Sequence, residues 1–125
     1  MATPSRQPEA EPGDSARESA PADDDWFSRV IGVVETIPEG RVMTYGSVAA
    51  VLGSRSSRGV GKVMAHAGSE LAWWRVIRAS GHPAEGHEQR ALELYRVEGT
   101  PLRWSRAGTW KVDLPAASWS PPLEG

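Results

Sequence analysis

Apolar residues recur at helical spacing in three successive short stretches, each stopped by glycine, proline or serine. Residues 26–67 can therefore bury their apolar surface only as a cluster of short helices. Phe27, Val30, Ile31 and Val34 fall at i, i+3, i+4 and i+7, and Pro38 and Gly40 end that stripe. Val42, Met43 and Thr44 form a short extended segment, with Thr44 or Tyr45 near the next helix start. The run from Gly46 to Leu52 reads as a second helix with Val48, Ala49, Val51 and Leu52 inward, halted by Gly53. The turn from Ser54 to Ser57 offers serines to cap a third helix, in which Val60, Val63, Met64 and Ala67 share one stripe. Arg58 lies at its start and Lys62 faces away from the apolar side. Gly59 and Gly61 each cost the helix roughly 1 kcal/mol relative to Ala. Close approach of another backbone or of a phosphate chain is the physical reason to keep them.

A short helix, a tight turn and a second helix that starts with basic and small residues form the pattern of a helix-turn-helix. Helix pairs joined by Gly/Ser turns also occur in plain cores, so the pattern alone leaves both readings open. The basic start of the third helix adds weight to the first, because Arg58 is placed unfavourably for the helix dipole. Next comes Leu71-Ala72-Trp73-Trp74-Arg75-Val76-Ile77-Arg78. Adjacent tryptophans on an extended backbone point to opposite sides, one into a core and the other to a pocket or surface. Arg75 and Arg78 set positive charge beside the rings, which suits an aromatic, anionic partner, although a core strand edge with a stacked arginine has the same composition.

Beyond a turn at Ser80–Pro83, residues 85–98 read as a helix with Ala91, Leu92 and Tyr95 inward, closed by Gly99 with Pro101 after it. Alternation around Arg106-Ala107-Gly108 predicts a hairpin whose packed face holds Trp104 and Trp110. The last residues, from Pro115, read as loop with Trp119 folded back as an anchor. The expected fold is mainly α with a small β element, a winged-helix-like helix-turn-helix domain.

Charge divides the chain. Residues 1–25 hold seven acids against two arginines, a net −5, whereas residues 26–125 hold twelve cations against nine acids, a net +3. Between Ser54 and Arg78 five cations face Glu70 alone. Residues 1–24 contain no aromatic residue, Ile, Leu or Val and read as a disordered acidic tail. The folded domain is expected over residues 25–119, with a short tail at 120–125. There is no cysteine, which removes disulfides, thiolate metal sites and thiol nucleophiles together. The three histidines, His66, His82 and His87, show no metal-site spacing and lie outside the segment around Trp73. No run of about eighteen apolar residues is present, and no signal pattern opens the chain, so a cytoplasmic location without membrane contact is expected.

Three blocks together resemble a known family. Gly40-Arg41-Val42-Met43-Thr44-Tyr45-Gly46-Ser47-Val48-Ala49, then Arg58-Gly59-Val60-Gly61-Lys62-Val63-Met64, then Trp73-Trp74-Arg75-Val76-Ile77 look like the DNA-binding domain of O6-alkylguanine-DNA alkyltransferases. Those enzymes carry Pro-Cys-His-Arg-Val where this chain has Ala72-Trp73-Trp74-Arg75-Val76. Tryptophan at the cysteine position is the mark of alkyltransferase-like proteins, which bind the lesion without repairing it. The later segments Glu88-Gln89-Arg90, Glu98-Gly99-Thr100-Pro101-Leu102 and Trp110-Lys111-Val112-Asp113-Leu114-Pro115 are similar to that group as well.

The resemblance implies roles residue by residue. Tyr45 matches the tyrosine that pushes on the phosphate 3′ of the target nucleotide, and Arg58 the finger that fills the vacated stack. The recognition helix of this family lies in the minor groove, where Gly59 and Gly61 relieve crowding and Lys62 meets phosphate. Trp73, with Trp74, Arg75, Val76 and Arg78, belongs to the pocket that receives the flipped base. The segment from Gly81 to Glu88 is shorter than in longer members, where it carries a lesion-contacting arginine; Arg78 is the candidate substitute.

Alkyl transfer to protein needs an activated nucleophile, commonly a thiolate beside a base. Indole is a poor nucleophile, and Trp74 stands at the base position. The expected function is therefore a non-enzymatic sensor of O6-alkylguanine in duplex DNA, acting as a monomer without cofactor or metal, that directs the lesion to the damage-recognition proteins of nucleotide excision repair. The alternatives are a sequence-specific helix-turn-helix transcriptional regulator, which would prefer a sequence over a lesion, and a glycosylase-like hydrolase, disfavoured for want of a general base.

Overall fold

The computed structural model describes residues 20–122. Helix α1 (Ala20–Val34) is followed by strand β1 (Met43–Thr44), helix α2 (Tyr45–Val51) and helix α3 (Ser57–Ala67). Two short 3-10 turns, Gly68–Glu70 and Trp73–Arg75, lead into strand β2 (Val76–Ile77). Helix α4 (Glu88–Glu98), the hairpin β3 (Leu102–Trp104) and β4 (Trp110–Val112), and a single helical turn α5 (Leu114–Ala117) complete the chain.

Helix α1 starts at Ala20, so the expected domain start at residue 25 falls inside a helix rather than ahead of one. The remainder of the acidic tail lies outside the described residues.

Two apolar cores lie on opposite faces of one small parallel sheet. β1 pairs with β2 in the register Met43↔Val76 and Thr44↔Ile77, and Val42 bridges to Ser118. Met43 and Val76 join the first core with Val30 and Val34 of α1, Val48 and Ala49 of α2, and Val60 and Val63 of α3. Their neighbours Val42 and Ile77 join the second core with Ala91, Tyr95, Val112 and Ala117. Successive side chains of a strand point to opposite faces, so two-residue strands are enough to couple the helix-turn-helix to the C-terminal half. Trp73 packs against both cores.

The helix-turn-helix itself is α2, the turn around Gly53, and α3. Thr44 caps α2 by accepting the Ser47 N–H at 3.0 Å, and Ser56 caps α3 by accepting the Gly59 N–H at 2.8 Å. Val51, expected inward, is 43% exposed, because two residues of helical rotation carry it to the far side of α2 from Ala49. The hairpin stands where a wing would. Trp110 packs against the second core with its ring 5.9 Å from that of Tyr95. Trp104, expected to share that packed face, is half exposed and has the Arg96 guanidinium 5.5 Å over its ring.

Two expected elements differ in form. Trp73 and Trp74 lie in a 3-10 turn rather than on an extended strand, and their rings meet edge to face at 5.7 Å. The helix expected from residue 85 starts at Glu88, which leaves the segment Gly81–His87 as a loop. That loop is tied to the hairpin where the Val112 N–H donates to the Gly81 carbonyl at 2.9 Å. Gly81 has φ +94°, and a Cβ there would meet the Val112 carbonyl oxygen at 3.0 Å. Both the backbone angle and the close approach require glycine.

Candidate nucleic-acid interface and base pocket

Helix α3 presents exposed cations on one face and a cavity wall on an adjacent one. Arg58 and Lys62, one helical turn apart, are both exposed, and among the described residues neither makes an ion pair. Gly61, Ala65 and Gly68 follow at i, i+4 and i+7 and form a stripe of small residues. That stripe is one wall of a cavity of about 510 Å3, a volume typical of small-molecule sites. Tyr45, Trp73 and His87 supply aromatic walls, and Ala84 and Glu85 close it from the loop. The basic face and the cavity thus share one helix.

The two glycines of α3 have different uses. A Cβ on Gly61 would meet nothing within 4 Å, so its absence keeps open space at the cavity. Gly59 is held by its own fold: a Cβ there would sit 2.8 Å from Ser56 Oγ, and Trp26 Nε1–H donates to its carbonyl at 3.3 Å. The close approach expected at Gly59 is therefore made by the helix cap and by Trp26.

Tyr45 is the first residue of α2, immediately after the Thr44 cap, and its half-buried ring faces the cavity. Burial pushes its hydroxyl pKa up, and the charge of Arg78 opposes the rise. The hydroxyl is thus a neutral hydrogen-bonding group at physiological pH.

Of the five residues expected in the pocket, Trp73 alone forms part of its wall. Trp74 turns the other way, where its Nε1–H donates to Glu98 Oε2 at 3.0 Å and its carbonyl accepts the Tyr95 hydroxyl at 2.6 Å. Arg75 is consumed by structure. Its Nε donates to Glu98 at 3.1 Å and its Nη1 to the Ile37 carbonyl at 2.9 Å, with side-chain exposures of 16% for Arg75 and 7% for Glu98. Burial raises the Glu98 carboxyl pKa, but hydrogen bonds from Arg75, the Gly40 N–H and Trp74, with the charge of Arg75, outweigh it and hold the group below the usual carboxylate range. Val76 is fully buried in the first core, because its strand pairing with Met43 points it inward. Arg78 stands beside the site without lining it; its Nε donates to the Pro83 carbonyl at 3.0 Å and its guanidinium lies 4.0 Å from Glu88.

Ala84, Glu85 and His87 were not anticipated. The His87 ring lies 5.5 Å from that of Trp73, tilted by 55°. A histidine therefore does stand in the site, contrary to the expectation from chain position, because the loop folds back over the 3-10 turn. Nothing in the spacing of residues 81–87 announces this. Gly61, Ala65 and Gly68 mark the other wall, and of these the sequence singles out Gly61 alone.

Comparison with known proteins shows the family and the fold. Residues 25–100 match the family model described as 6-O-methylguanine DNA methyltransferase, DNA binding domain. The chain is 33% identical over 105 residues to alkyltransferase-like protein 1 of Schizosaccharomyces pombe, covering 78% of this chain and 97% of that protein. It is 36% identical over 103 residues to a DNA base-flipping protein of Escherichia coli, covering 78% of this chain and 77% of that protein. The crystal structure of the S. pombe protein in complex with damaged DNA containing O6-carboxymethylguanine superposes with a TM-score of 0.69 at 33% identity, over 78% of this chain and 97% of that one. The chain belongs to the family of the 6-O-methylguanine DNA methyltransferase DNA-binding domain, as one of its alkyltransferase-like members.

Proposed function

We propose that the protein binds duplex DNA at O6-alkylated guanine, holds the damaged nucleotide outside the helix and leaves the alkyl group in place. The observation that carries this reading is the cavity walled by Trp73 on the helix that also presents Arg58 and Lys62. A helix seated in the minor groove by those two cations brings an aromatic pocket beside the strand it displaces. Extruding a nucleotide costs a few kcal/mol of unstacking. Stacking of the base on aromatic walls returns about 1–3 kcal/mol, and Arg58 in the vacated stack supplies the rest. Tyr45, neutral and at the cavity edge, turns the phosphate in this reading.

Without a cysteine the chain has no thiolate to accept the alkyl group, and the indole at position 73 cannot replace one. Binding is then the product of the encounter. A flipped, bent and occupied site is a signal that other proteins can read, and we assign those readers to nucleotide excision repair. In this reading the protein works as a monomer in the cytoplasm and is nucleoid-associated when bound.

The test is a titration of two duplexes that differ in one base, O6-methylguanine against guanine, followed by mass spectrometry of the recovered DNA. Tighter binding of the methylated duplex with its methyl group intact is the expected result. Equal affinities would instead favour a sequence-reading regulator.

A further inference from the structure

We infer that the cavity selects O6 substituents by charge, accepting neutral and cationic alkyl groups and disfavouring anionic ones. This inference rests on the damage-binding reading and names the class of lesion it serves. Glu85 is the one aspartate, glutamate, lysine or arginine on the described cavity wall. Its side chain is exposed, and among the described residues no ion pair offsets it. The nearby cation, Arg78, lies off the wall, with its Nε on the Pro83 carbonyl and its charge set against the Glu88 carboxylate 4.0 Å away. That carboxylate is held ionised by backbone N–H groups at Glu88 and Gly86.

The remaining polar side chains on the wall are Tyr45, whose hydroxyl is kept neutral by burial, and His87, whose ring lies against Trp73. A guanine stacked among these rings brings its O6 chain into a space whose one fixed charge is negative. A carboxylate on that chain meets repulsion from Glu85 and no free cation on the wall. An ammonium group on the chain meets the opposite. The contact is solvent-exposed, so the discrimination is about two- to fivefold and fades with added salt.

Four duplexes identical except at one position, carrying guanine, O6-methylguanine, O6-carboxymethylguanine or O6-(4-aminobutyl)guanine, are titrated with the wild-type protein and with Glu85→Gln. The buffer is of low ionic strength at about pH 8, above the ordinary titration range of imidazole. The wild-type protein is expected to bind the carboxymethyl duplex about two- to fivefold more weakly than the methyl one, and Glu85→Gln to erase that difference. Carboxymethyl binding as tight as methyl binding in the wild type, or a gap that survives Glu85→Gln, overturns the charge rule while lesion preference stands. Alkylated duplexes that bind no better than guanine overturn the damage-binding reading itself, and the charge rule with it.

Discussion

Arg75 and Glu98 form a partly buried ion pair that holds together three parts of the chain distant in sequence. Glu98, at the end of α4, also accepts the Gly40 N–H at 3.0 Å and the Trp74 indole N–H at 3.0 Å. Arg75 reaches on to the Ile37 carbonyl. The pair therefore fixes the 3-10 turn from which Trp73 faces the cavity, although neither partner lines it. Removing one member leaves the other charge, largely shielded from water, without its partner, a loss of about 1–3 kcal/mol. Glu98→Ala and Arg75→Met should each lower stability on that scale in denaturant titrations. A loss below about 1 kcal/mol would place the pair among weak surface contacts.

The same pair makes stability pH-dependent. The Glu98 carboxyl has its pKa lowered in the folded state. Its contribution is complete above the ordinary carboxylate pKa and is lost as pH falls through the lower, folded value. The wild-type melting temperature should thus decline below about pH 4.5, and Glu98→Gln should flatten that limb of the curve. Parallel acid limbs in the two proteins would assign the decline to other carboxylates.

Gly61→Ala separates folding from binding. The new methyl group meets nothing within 4 Å, and alanine is the better helix former, so a gain of about 0.5–1 kcal/mol in stability is expected. The methyl group also projects beside the cavity, so under the proposed function affinity for alkylated DNA should fall. Improved stability with unchanged affinity would remove Gly61 from the interface.

Arg58→Ala should weaken binding to O6-methylguanine duplex by about 1–3 kcal/mol and binding to plain duplex by less, because a finger in the stack acts only when a base has left it. Lys62→Ala should weaken both duplexes alike and reduce the salt slope by about one. Equal losses for Arg58→Ala on both duplexes would make it another phosphate contact.

Much of the helical half was legible because it rests on local signals. The stripes from Phe27 to Val34 and from Val60 to Ala67, the Ser56 cap and the turn at Gly53 all follow from residues within a few positions of one another. Trp73, which the sequence singles out, lies on the cavity wall, whereas Ala65, Glu85 and His87, which it does not, lie there too. The latter two reach the cavity through the folding back of a loop that is anchored at Gly81 to a strand some thirty residues later. Arg75 and Trp74 turn away from the cavity for a similarly non-local reason. Their partner Glu98 is 23 and 24 positions away, and no periodicity connects them. Val76 follows from strand pairing across α2 and α3, which is equally non-local.

Trp73→Cys restores a thiol at the position where the family's enzymes carry one, and we expect no efficient alkyl transfer from it. An unassisted thiol has a pKa of about 8.5, so only a few per cent is thiolate near neutral pH. The adjacent side chain, Trp74, is bonded to Glu98 and takes no proton. His87 is a base, but its ring lies 5.5 Å from the centre of the indole, and a sulfur on Cβ withdraws from it toward the backbone. Alignment of the alkyl carbon with sulfur matters as much as basicity, and this loop was shaped around an indole. Because Trp73 packs against both cores, its loss also costs about 3–5 kcal/mol of stability, so the variant must first show a native circular dichroism spectrum. Mass spectrometry after incubation with O6-methylguanine duplex then decides. An unmodified protein is expected. Rapid stoichiometric gain of one methyl group would show that the thiol alone was missing, and its disappearance in Trp73→Cys/His87→Ala would identify His87 as the base that activates it.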